Sequence, residues 1–174
     1  MCFILYQGYK LVFRQTLPYL YKPNEWQKNS EDPSSDNYSI LDELEQFRHD
    51  DGRFYFRMDW PGDETVYEWS QTSNPVSEKL VGYQAISVPY TGQSWGGIEP
   101  STFALMDGSI NHNNWYYAIG SHQIWLGGIP SYAKTHVDSV YPKQGVRLYV
   151  QTEIHKGKTC LLFCVMLLIR DINH

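Results

Sequence analysis

The sequence predicts an α+β domain, mainly antiparallel β-sheet, with one short helix at about residues 39–50 and a loop-rich second half. Three observations predict it. Short segments of alternating polarity recur along the chain between clusters of Gly, Pro, Asn and Asp. Helical spacing is clear in one stretch alone. The aromatic load is high, with 14 Tyr, 6 Trp and 7 Phe among 174 residues, and aromatic residues favour pleated, half-buried surfaces. One helix among many short strands argues against a doubly wound parallel sheet.

The first strand is YKLVFRQT, residues 9–16, where apolar and polar residues alternate. Residues 17–37, LPYLYKPNEWQKNSEDPSSDN, crowd Pro, Asn, Ser and Asp and read as a loop. SILDELEQFRHDDG follows. Ile40, Leu41, Leu44 and Phe47 share a side at helical spacing. Ser39 is placed to cap the helix with Asp42 as its reciprocal partner, and Gly52 to stop it. RFYFRMDW then alternates as a strand, with Phe54, Phe56 and Met58 on one face and Arg53, Tyr55, Arg57 and Asp59 on the other. PGDE is a turn whose Asp63 and Glu64 read as solvated, and TVYEWSQT returns as a hairpin. The second half continues as short strands in GYQAISVPY, STFALM, NWYYAIG, QIWLGG and VRLYVQ, separated by turn clusters such as TGQSWGG. QSWGGIEPS at 93–101 echoes QIWLGGIPS at 123–131. Two such turns do not make a repeat architecture.

Length implies a single domain, taken as residues 8–152, followed by an apolar extension at 153–174. Removal of everything after Gln151 is expected to leave the domain folded. The run CLLFCVMLLI has about half of the ~20 residues that a membrane span needs, so no span is expected. The net charge is −5 and Lys and Arg are scattered, which argues against nucleic acid as a partner. Cys2, Cys160 and Cys164 lie at the ends of the chain, and no His cluster completes a zinc pattern. They read as small apolar residues. The start, MCFILYQGYK, lacks the basic region and the small-residue cleavage site of a signal peptide.

The stretch DGSINHNNWYYAIGSHQIWLGGIP, residues 107–130, carries most of the candidate chemistry. Asp107, Ser109, Asn111 and Asn113 alternate as oxygen donors, and calcium takes six to eight oxygens. The same run is equally the composition of a turn, and it lacks the acids and the terminal Glu of a twelve-residue calcium loop. Calcium is the one cofactor it suggests. Trp115, Tyr117 and Trp125, with Trp95 in the related Gly-rich loop, offer apolar faces to a sugar ring. His112 and His122 offer hydrogen bonds to its hydroxyls. The competing reading is that these alternating aromatics are core. Asp107, Ser109 and His112 are crowded in sequence, but triads are defined by geometry. No nucleophile elbow, phosphate loop or dinucleotide fingerprint is present. Asn37-Tyr38-Ser39 fits the N-glycosylation acceptor pattern at a point expected to be exposed.

YKLVFRQT resembles the opening strand of fibrinogen-related domains, of the fibrinogen C-terminal and intelectin kind. RFYFRMDWPGDETVYEWS resembles their hairpin, a strand ending in Asp-Trp, a Gly turn and a Tyr-containing return strand. The order of loop, helix, hairpin and Gly/Trp-rich second half is similar too. Segments Asp36–Glu45, Gln71–Val76, Asp107–Gly120 and Gly127–Pro130 are also similar to an extracellular module of invertebrates. The matching stretch lacks the paired cysteines of fibrinogen-related domains, and their alternating Asp calcium motif is not reproduced.

The resemblance implies a non-enzymatic, secreted recognition module that binds glycans or acetylated groups in an aromatic pocket with calcium assistance. Trp115, Tyr117, His122 and Trp125 would form that pocket, and Asp107 and Asn111 would hold the ion. Its partner would be a glycan or an extracellular protein, and a homo-oligomer is compatible with it. Two other readings stay open. One is a structural or adhesive matrix domain whose aromatics are core. The other is a hydrolase using Asp107, His112 or His122.

Overall fold

The computed structural model describes residues 5–6, 8–88, 96–107, 119–122, 131–133 and 140–152. The expected C-terminal extension and all three cysteines lie outside these residues. The described chain forms β1 (Leu5–Tyr6), β2 (Tyr9–Thr16), β3 (Gln27–Lys28), β4 (Tyr38–Ile40) and a 3-10 helix (Leu41–Phe47). There follow β5 (Phe54–Asp59), β6 (Val66–Gln71), β7 (Gln84–Ser87), β8 (Glu99–Pro100), β9 (Ala104–Asp107), β10 (Ile119–Ser121), β11 (Ser131–Ala133), β12 (Val140–Pro142) and β13 (Gly145–Gln151). The fold is α+β and mostly antiparallel sheet.

The main sheet has the order β3-β4-β2-β13-β5-β6-β7, with β1 paired to β2. The last strand, β13, lies between β2 and β5 and is antiparallel to both. The two ends of the described chain are therefore neighbours, and Thr152 N–H donates to the Gly8 carbonyl at 2.8 Å.

Alternation decides which residues fill the core. On the inner face, Phe56 stands opposite Trp69, and Met58 stands opposite both Tyr67 and Leu148. All five are fully buried, together with Phe13, Phe54 and the helix residues Leu41 and Leu44. The Phe56 and Trp69 rings lie 5.4 Å apart and tilted. The other face carries cross-strand ion pairs at register positions, which is where opposite charges help a sheet most. Arg147 is paired with Asp59 at 2.6 Å, and Arg57 with Glu68 at 2.9 Å.

β8, β9 and β10 form a second, three-stranded sheet in the order β10-β9-β8. Its central residues Ala104, Leu105, Met106 and Ile119 are buried. Two buried glutamines tie it to the main sheet. Gln15 of β2 accepts from Gly120 N–H at 3.0 Å. Gln71 of β6 bonds both backbone polar groups of Ile98. β11 and β12 pair as a separate two-stranded ribbon.

The structure corrects several expectations. The helix runs over Leu41–Phe47 rather than 39–50, and it is 3-10. Ser39 belongs to β4, is fully buried and gives its hydroxyl to the Trp26 carbonyl, so it is not the N-cap. The N-cap is Ile40, with no side-chain cap bond. Asp42 accepts from Gln27 at 2.6 Å instead of reaching back to Ser39. Gly52 lies beyond the helix, in a turn closed by its N–H to the His49 carbonyl at 2.8 Å. Its φ of +79° suits glycine there. The 17–37 loop contains β3, which pairs with β4. YKLVFRQT is the second strand, because β1 precedes it and pairs with it. Asp63 is not solvated, because its carboxylate takes Lys143 at 2.7 Å and the Thr65 N–H at 2.8 Å.

Candidate functional site

Among the residues expected at a site, the structure describes Asp107 and His122. Trp95, His112, Trp115, Tyr117 and Trp125, and the oxygen donors Ser109, Asn111 and Asn113, lie outside the described residues.

Asp107 ends β9 and stands opposite Glu99 of β8. Two carboxylates placed directly across a ladder repel unless compensated. Glu99 is compensated by Lys79 at 2.9 Å and by the Leu80 N–H at 3.0 Å. Among the described residues no group of three or more His, Cys, Asp or Glu comes together. Asp107 with an already engaged Glu99 does not supply the six to eight oxygens calcium takes, so the described donors alone do not fit the ion.

His122 follows β10 at its other end. Its N–H donates to the Phe103 carbonyl at 3.1 Å, which places it level with Phe103. Asp107 is four residues further along β9, a distance of about 13 Å at the usual rise per strand residue. Asp107 and His122 therefore do not converge, and the described part of the chain does not assemble a catalytic pair from them.

Around His122 a different group forms. Ser101, Thr102 and Phe103 make the turn between β8 and β9, and Ser101 Oγ accepts from the Phe103 N–H at 3.3 Å. Phe103 is 60% exposed. The His122 imidazole bonds to the Thr102 backbone, and its Nε2 is buried with no hydrogen-bond partner among the described residues. Burial lowers the His122 pKa below its ordinary value, and the Thr102 bond opposes this in part. The ring is thus neutral at pH 7, and a neutral imidazole can donate at one nitrogen and accept at the other. The exposed Phe103 side chain, with exposed Thr102 before it in the turn, can take a ligand with a flat apolar side and a hydroxyl at its rim.

Sequence reasoning missed Phe103. STFALM reads as one strand, but β9 begins only at Ala104. The signal was the short Ser-Thr pair before Phe103, which favours a local side-chain bond to the backbone over strand pairing.

No family model, curated protein or solved structure matches this chain. No helix among the described residues is long and apolar enough to cross a membrane.

Proposed function

We propose that this chain is a non-enzymatic extracellular recognition module that binds carbohydrate through its aromatic-rich second half. One observation carries the reading: Phe103 stands 60% exposed, level with His122 through the His122 N–H bond to its carbonyl. The Phe103 face would stack on the apolar side of a sugar ring, and exposed Thr102 would meet one of its hydroxyls. Trp125 is three residues beyond His122 in sequence and belongs to the same proposal. The resemblance to fibrinogen-related domains supports the same ligand class. Calcium assistance through Asp107 is a separable part of it. A glycan-array screen of the full chain, run with calcium and then with a chelator, tests both parts. Binding to a defined sugar class supports carbohydrate recognition, and loss with the chelator supports the ion. No binding in either buffer rejects the reading.

A second reading, an adhesive protein-interaction domain of the extracellular matrix, is favoured by β7. All four residues of this edge strand are exposed. Ile86 is 54% exposed and nearby Val81 61% exposed. Edge strands of this kind offer backbone groups to a partner chain or to a second copy. Sedimentation that depends on concentration and is abolished by Ile86→Lys would support it.

A further inference from the structure

The sequence holds one N-glycosylation acceptor, Asn37-Tyr38-Ser39, and the structure places it on a cleft. The cleft has a volume of about 400 Å³ and is lined by Thr16, Leu17, Pro18, Tyr19, Asp36 and Asn37, within the usual range for small-ligand sites. Asn37 Oδ1 accepts from the Thr16 N–H at 2.9 Å. Its backbone carbonyl accepts from Asn29 Nδ2 at 2.8 Å. Arg14 holds the preceding turn through the Ser34 and Ser35 carbonyls, at 3.1 and 3.0 Å. The side chain is therefore fixed by its oxygen, and Nδ2, the atom a glycan would be attached to, has no hydrogen-bond partner among the described residues.

We propose that Asn37 is N-glycosylated and that the first N-acetylglucosamine is seated in this cleft, as part of the fold. The extracellular reading above is what brings the chain to the transferase. The modification forms a bond from Asn37 Nδ2 to the anomeric carbon of a lipid-diphosphate-linked oligosaccharide. It breaks the bond from that carbon to the phosphate oxygen, and the lipid diphosphate and one Nδ2 proton leave. The amide keeps its carbonyl oxygen, so the bond from Thr16 survives. Leu17, Pro18 and Tyr19 present an apolar wall to the flat side of the sugar. The Asp36 carboxylate, exposed and without a hydrogen-bond partner among the described residues, accepts from its hydroxyls or its acetamido N–H. The order of events also follows. The Ser39 hydroxyl that completes the acceptor is fully buried and bonded to the Trp26 carbonyl. Transfer therefore precedes the docking of β4, and the sugar settles into the cleft as the chain folds.

The test uses the full chain, sent through a eukaryotic secretory pathway behind a cleavable heterologous leader. Entry is thereby forced, and the result does not depend on whether the chain is naturally secreted or binds glycans of its own. The expected intact mass exceeds that of the polypeptide by hexose and N-acetylhexosamine units. The excess is removed by peptide N-glycosidase and is absent from Asn37→Gln. The folded glycoprotein is then trimmed in two ways, to a single N-acetylglucosamine or to none. Complete removal converts the Asn37 amide to a carboxylate, which still accepts from the Thr16 N–H. The single sugar is expected to hold the thermal midpoint a few degrees above both the fully trimmed form and unglycosylated Asn37→Gln, which adds no charge beside Asp36, and Asp36→Ala is expected to shrink the difference from Asn37→Gln. An unmodified wild-type chain would overturn the proposal. So would equal midpoints for the two trimmed forms.

Discussion

The side-chain amide of Gln71 pairs with both backbone polar groups of Ile98. Oε1 accepts the Ile98 N–H at 3.1 Å and Nε2 donates to the Ile98 carbonyl at 2.9 Å. The same amide receives Trp69 Nε1 at 3.0 Å and gives to the Ser73 carbonyl at 3.1 Å. A fully buried glutamine thus does for the second sheet what a backbone rung does within a sheet. Gln71→Leu keeps much of the volume but strands the Ile98 groups, at about 1–3 kcal/mol for each buried group left unsatisfied. A loss of about 3 kcal/mol in urea unfolding is expected on that basis. Gly97→Ala should act on the same clamp, because its φ is +97° and a Cβ would lie 2.9 Å from Gln71 Oε1. The two substitutions share a partner, so their effects should not add.

Gln15 plays the matching part at the other end of the small sheet. Its Oε1 accepts the Gly120 N–H at 3.0 Å, and its Nε2 donates to the Tyr19 carbonyl at 3.0 Å. Gln15→Leu is expected to cost about 1–3 kcal/mol and to raise amide exchange at Ile119–Ser121 before the core of β5 and β6 opens. Gly120→Ala should be severe as well. Its φ is +67°, and a Cβ would meet the Leu105 side chain at 2.6 Å.

Stability should fall as the pH drops below neutrality, and His122 is the cause to test first. Burial holds its folded pKa below the ordinary value of 6.5, so the fold favours the neutral ring. The stabilisation is complete above the unfolded pKa and is lost as pH falls through the folded one. In His122→Gln the difference in unfolding free energy between about pH 7.5 and about pH 5.5, which bracket the ordinary histidine value, should be smaller than in the wild type. Glu45 acts in a lower window. Arg48 and Asn74 bond its carboxylate and hold its pKa below the ordinary 4.5, so its contribution is lost only under stronger acid.

The boundary at residue 152 can be checked by truncation. Thr152 closes the sheet through N–H and Oγ1 bonds to the Gly8 carbonyl, at 2.8 and 3.1 Å. A chain ending at Thr152 should keep a cooperative thermal transition. Ending at Gln151 removes both bonds and should lower the midpoint without abolishing the transition.

Strands with clean alternation were legible in the sequence. YKLVFRQT is β2 residue for residue, and Phe54, Phe56 and Met58 face inward as their spacing requires. The helix was less so, because Ser39 suits a cap and a buried strand position alike, and the pairing of β4 with β2 and β3 claims it. The central place of β13 depends on pairing with β2, at the far end of the described chain, which no local pattern encodes. Gln15 and Gln71 did leave a trace. Each occupies the inward phase of its strand, two residues after Phe13 or Trp69, where a polar side chain is out of place unless it has partners. The candidate site was the least legible part. Phe103 became visible only once the turn before β9 was known, and most of the aromatics expected to join it lie outside the described residues.

Phe103 is exposed, so its replacement should leave the fold intact, and this makes it the sharpest probe of the carbohydrate reading. The direct measurement is glycan-array binding of the wild type and of Phe103→Ala side by side, with thermal midpoints recorded for both. Carbohydrate recognition at this face predicts binding to a defined sugar class that drops at least about tenfold in Phe103→Ala, about 1.4 kcal/mol, at an unchanged midpoint. Equal binding by the two proteins, or no binding by either, would contradict it.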